Sequence, residues 1–108
     1  MRDIWDEKFA ASLIGKTVLV GMTYVNAKGA AVRQKQFWGV VERADPSVGV
    51  RLALQGKSLG EHYDLPPDLR GYDEAPPGEY RLRSTHETVV NPDYVSTWTV
   101  DLPTKSGS

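Results

Sequence analysis

Arg33, Lys35, Phe37 and Arg43 fall at odd positions along one stretch of the chain. Side chains alternate between two faces of an extended strand, so all four are expected on one side, with cations flanking an aromatic ring. Trp38 sits on the opposite side, and Arg51 lies on the next apolar segment. Cations that follow phosphates beside rings that stack on bases bind single-stranded nucleic acid. The same residues also describe a soluble strand edge, where cations discourage unwanted strand addition. Arg33, Lys35, Phe37, Trp38, Arg43 and Arg51 are therefore the candidate residues for binding a partner or a nucleic acid.

Other reactive types do not assemble into a site. His62 and His86 are the two histidines, and the chain has no Cys. A zinc site wants three or four ligands, so His62 with Asp64, or His86 with Glu87, is too small a set. Ser84, Thr85, His86 and Glu87 are sequence neighbours, which point to opposite faces of a strand and seldom make a nucleophile–base pair. Gly56-Lys57-Ser58-Leu59-Gly60 lacks the upstream glycine of a phosphate loop. Asp64, Asp68, Asp73 and Glu74 are clustered near prolines, but general acid–base work needs one of them desolvated, and the stretch is polar. No catalytic residue, metal or cofactor is expected.

The 108 residues suit one domain with one compact core, taken as residues 1–103 with a disordered tail over 104–108. Cysteine-free composition excludes a disulfide framework and suits a reducing cytoplasm. The chain opens on Arg2-Asp3-Ile4-Trp5-Asp6-Glu7, which is no leader, and its longest apolar run is far too short to span a bilayer. A soluble cytoplasmic protein with no membrane partner is expected. The net charge of −1 does not announce nucleic acid. Its distribution is uneven: residues 16–57 carry about +5 and residues 58–101 about −6. Such a dipole either mixes out in the folded sheet or serves self-association.

Those residues need elements to hold them. Asp3 as N-cap, acids in the first turn and an apolar stripe of Trp5, Phe9 and Leu13 predict a helix over about 4–13, stopped by Gly15. From Lys16 the period becomes two. Val18, Val20, Met22 and Tyr24 share a face; a turn at 26–29 leads into a long strand over about 31–43. Its first half is polar on both faces and should overhang the core as a ribbon, and Gly39 marks a bend. After an Asp45-Pro46-Ser47 turn, Val48, Val50, Leu52 and Leu54 alternate. A short strand at 61–65 ends at Pro66-Pro67, and 68–78 has no long element. Residues 79–83 pair with 87–90, and 94–102 alternate again, with Tyr94 and Trp98 as core or interface aromatics.

A helix followed by short bent strands resembles an Sm-like small β-barrel. Leu13-Ile14-Gly15-Lys16-Thr17-Val18-Leu19-Val20 is similar to the helix end and first strand of that family, and Gly39, Val41, Ala44, Asp45, Val48, Val50 and Leu52 to its first motif. The resemblance covers residues 13–54 and implies a strongly bent, five- to six-stranded antiparallel barrel. It implies RNA binding less well. The family's base-contacting Asn is replaced by Gly49, and Leu69-Arg70-Gly71, which has the letters of the second motif, follows two prolines. The whole chain also resembles small bacterial proteins of unknown function, which bring no activity with them. The expectation is a non-enzymatic interaction or assembly module, associating into homo-oligomers through the edges of strands 31–43 and 94–102. The alternative is a single-stranded nucleic-acid binder using the basic ribbon.

Overall fold

The computed structural model describes residues 3–103. Asp6, rather than Asp3, caps the N-terminal helix: its Oδ1 accepts from the backbone N–H of Lys8 and Phe9 at 2.9 and 3.1 Å. The helix, α1, is accordingly Glu7–Leu13, shorter than the apolar stripe suggests, and Trp5 packs on the core from just outside it. Gly15, at φ +83°, turns the chain into the first strand.

Eight strands follow: β1 (Thr17–Val25), β2 (Ala31–Asp45), β3 (Gly49–Leu54), β4 (His62–Leu65), β5 (Tyr72–Glu74), β6 (Glu79–Arg81), β7 (Thr88–Val90) and β8 (Tyr94–Asp101). Six of them form one sheet in the order β4-β3-β2-β1-β8-β5, and β6 and β7 form a separate hairpin. The fold is mainly β, with one short helix. Two expectations are corrected. The sheet is open, with β4 and β5 as its edges, so the strands do not close into a barrel. Nor is it all antiparallel, because β8 runs parallel to β1. Residues 26–93, with β2 to β7 among them, separate the two, far more than the long connection that parallel neighbours require. Asp93 sets the β1–β8 register: its N–H donates to the Thr17 carbonyl at 2.9 Å and its Oδ2 accepts from the Thr17 N–H at 2.8 Å.

β2 is the longest strand, with 15 residues. At Gly39 it lies close against the backbone of β3, and at Glu42 its register with β3 slips between Val41 and Arg43, a bulge of the kind that bends a strand. The Asp45 turn forms as the sequence suggests, with Oδ1 accepting from Ser47 and Val48. Val48 lies in that turn, not on the apolar face of β3, and is exposed.

Both faces of the sheet are covered, so the single core expected from chain length is in fact two apolar clusters. On one face Val18, Val20, Phe37, Val41, Leu52 and their neighbours pack under α1. Leu69 and Tyr72, from the stretch that reads as irregular, are fully buried in the same cluster. On the other face Leu19 meets Leu82 and Val89 of the β6–β7 hairpin, with Trp38, Tyr80 and Val95 around them. The tail expected to be disordered, 104–108, lies outside the described residues. Among the described residues no helix is long and apolar enough to cross a membrane.

Candidate interaction surface

Residues 31–36 of β2 pair only with β1 in the sheet, because β3 joins β2 from Gly39 onward. Likewise β5 covers β8 only from Tyr94 to Ser96. The upper parts of β2, β1 and β8 therefore form a three-stranded ribbon that outruns the rest of the sheet. As whole strands β2 and β8 are interior, which corrects their assignment as sheet edges. Within the ribbon they are its two outer strands.

The ribbon's inner face continues the main core outward. Tyr24 and Arg33 are cross-strand partners, as are Met22 and Lys35. The Arg33 guanidinium lies 4.6 Å from the Tyr24 ring centroid, and the Lys35 ammonium 5.8 Å from that of Phe37. Neither cation is in an ion pair with a described carboxylate. The hydroxyls of Tyr24 and Tyr63 donate to Met22 Sδ at 3.6 and 3.4 Å. Burial, aided by the nearby Tyr24, raises the Tyr63 pKa above its ordinary value. Trp98, opposite Met22 on β8, completes this half-buried aromatic surface.

The six candidate residues do not come together. Arg33 and Lys35 share the ribbon face. Phe37 is a core side chain, buried against Tyr63 with ring centroids 4.9 Å apart, so it offers no free face for a base. Trp38 is on the opposite face beneath the β6–β7 hairpin. Arg43 is removed from the Arg33 face by the extra residue at Glu42. A bulge sets two residues against one, so the alternation changes phase and Arg43 stands opposite Arg51. There the like charges are offset by Asp64, whose Oδ1 and Oδ2 accept from Arg51 Nε and Nη2 at 2.8 and 3.1 Å. The Arg51 hydrogen bonds, with the fields of Arg51 and Arg43, hold the Asp64 carboxyl below its usual range. His62 Nε2 is 3.2 Å from Glu42 Oε1 on this same corner. Arg51 of the basic half thus pairs with Asp64 of the acidic half, and at this corner the sequence dipole mixes out.

Ser84 and Asp68 make structural contacts. Ser84 and Gln36 clip the hairpin to the ribbon: Gln36 Oε1 accepts from the Arg83 N–H at 2.6 Å, and the Gln36 N–H donates to Ser84 Oγ at 3.1 Å. Asp68 caps a turn of 3-10 helix over Leu69–Gly71 and binds Arg70 at 2.7 Å. A groove of about 820 Å³ runs between residues 74–77 and 91–94, lined by Lys16, Glu74, Pro76, Pro92, Asp93 and Tyr94. Its Asp93 carboxylate is engaged through Oδ2 on the Thr17 N–H.

Sequence alternation finds Arg33 and Lys35 and names 94–102 as a candidate edge, but it does not reveal that β5 covers the first part of that strand, Tyr94 to Ser96. No protein-family model, curated protein or solved structure matches this chain.

Proposed function

We propose that this protein is a non-enzymatic interaction module that captures extended main chain at the open edges of its ribbon. One observation carries the reading: residues 97–101 of β8 lie in the sheet on one side only. Strand addition at such an edge satisfies main-chain donors and acceptors, and the flanking side chains choose the partner. The two edges differ. Arg33 and Lys35 flank the β2 edge, and Gln36 there is already bonded to the hairpin. The β8 segment Thr97-Trp98-Thr99-Val100 has no charge and no proline. Edge strands avoid association by carrying such residues, so the β8 segment is the accessible one. In this reading the chain is a divergent Sm-like arrangement, supported by the short helix ahead of the strands and the bulge in β2 between Val41 and Arg43. The parallel β1–β8 pair is its departure. The test is an NMR titration with a blocked Thr-Val-Thr-Val peptide. Shifts at Thr97, Thr99 and Asp101 are expected, and unchanged amides on both edges at millimolar peptide overturn the reading.

A second reading, single-stranded nucleic-acid binding, is favoured by the unpaired cations Arg33 and Lys35 beside Tyr24 and Trp98. A short oligothymidine at low salt should then shift Tyr24, Arg33, Lys35 and Trp98, with affinity falling steeply as salt rises. No perturbation there removes it.

A further inference from the structure

We infer that residues 97–101 of β8 pair antiparallel with the same segment of a second copy of this chain, in a register centred on Thr99. This rests on the edge reading above and names its partner.

The main chain is oriented for it. The Leu102 N–H donates inward to the Val25 carbonyl at 2.9 Å. Main-chain groups along a strand alternate sides, so those of Thr97, Thr99 and Asp101 point outward. Both ends of the open segment are blocked. At one end Tyr72 of β5 pairs with Ser96 and Gly71 stands beside the Thr97 carbonyl, and at the other Pro103, which has no N–H, follows Leu102. Only a register centred on Thr99 uses the whole segment of both copies.

The side chains suit that register. A two-fold axis normal to the sheet keeps each face with its like. Trp98 of each copy then faces Val100 of the other, Thr99 faces Thr99, and Thr97 faces Asp101. Aromatic with β-branched pairs and Thr with Thr pairs stabilise antiparallel strands, and no like charges are opposed. The β2 edge lacks this self-complementarity: pairing about Gln34 would set Arg33 against Lys35, and pairing about Arg33 would oppose it to itself. The β4 and β5 strands are only four and three residues long. The product is a continuous sheet in the order β2-β1-β8-β8-β1-β2. Its interface is small, so the dimer forms reversibly with concentration.

Thr99 is exposed on the face away from the main core, so charges can be placed there without disturbing packing. Sedimentation and native mass spectrometry of the full chain should show a concentration-dependent dimer. Thr99→Lys and Thr99→Glu, each checked for folding by its NMR spectrum, should be monomeric, because identical charges meet at the axis. An equimolar mixture of the two should recover a one-to-one dimer. A dimer that persists in Thr99→Lys alone overturns the inference, as does a mixture that stays monomeric. A wild-type chain still monomeric at about 1 mM, whose Thr97, Thr99 and Asp101 amides nevertheless answer the blocked peptide, overturns self-pairing and leaves the edge reading standing. If those amides and the β2 edge answer nothing, both fall.

Discussion

Gly39 on β2 and the carbonyl of Ala53 on β3 approach so closely that a Cβ built on the glycine would lie 2.7 Å from the oxygen. The contact is with backbone, which can yield only by parting the two strands. Gly39→Ala should therefore destabilise the fold by about 1–3 kcal/mol, the usual cost of overpacking. Gly49 is tighter still: it sits at φ +110°, and a Cβ there would overlap the Leu65 carbonyl. Gly49→Ala should cost more than Gly39→Ala in urea denaturation, because it adds backbone strain to the clash. Equal stabilities of wild type and Gly39→Ala would show that the close approach of β2 and β3 at Gly39 does not constrain the fold.

Ser96 is the one fully buried polar residue among the described ones, and it joins β8 to β5. Its Oγ accepts from Trp98 Nε1 at 2.8 Å, and the Tyr72 hydroxyl faces it. Burial drives the Tyr72 pKa well above the ordinary phenol range, so the hydroxyl stays neutral. Ser96→Ala deprives Trp98 of its acceptor in an apolar site. A loss of about 1–3 kcal/mol is expected, against near-neutrality for an exposed Ser→Ala change such as Ser47→Ala.

Leu82 reports on the second apolar cluster. It is buried against Leu19 and Val89 on the face of the sheet away from α1. Leu82→Ala should cost about 2–5 kcal/mol if the hairpin is an integral layer. A loss confined to the exchange protection of β6 and β7, with the global midpoint unchanged, would instead make the hairpin an independently opening flap.

Local chemistry is what the sequence makes legible. The alternation of Val18, Val20 and Met22, the stop at Gly15 and the Asp45 turn each depend on neighbours within a few residues, and each forms. The parallel placement of β8 beside β1 depends on a connection that runs through six other strands, and no local pattern records it. Tyr72 and Leu69 are buried because β5 returns beside β8, although the prolines around them read as loop. The candidate site suffers most from one inserted residue. Glu42 shifts the phase of β2, and a strict count of two therefore assigns Arg43 to the face of Arg33, when it belongs with Arg51. A bulge leaves no signature in residue type here, and a face count cannot be carried across it.

Glu87 holds the hairpin turn to the loop after β3, and it should make that contact sensitive to acid. Its Oε2 accepts from the Lys57 N–H at 2.9 Å, while Lys57 Nζ donates to the Thr85 carbonyl. Burial alone would raise the Glu87 pKa. The Lys57 N–H, the Thr85 hydroxyl, the Trp38 indole N–H and the Lys57 charge all favour the carboxylate and win, so the group sits below its ordinary 4.5. A carboxyl with a lowered folded pKa stabilises the folded state fully above its unfolded value and loses that contribution as pH falls through the folded one. Exchange protection at the Leu82 and Val89 amides, corrected for intrinsic rates, should therefore be flat above pH 4.5 and decline below it. Glu87→Gln keeps an acceptor for the Lys57 N–H but cannot titrate. It should lower hairpin protection at neutral pH and remove the decline in acid. If wild type and Glu87→Gln lose protection in parallel as pH falls, the acid response belongs to other carboxylates, with Asp64 beside Arg51 the next to substitute.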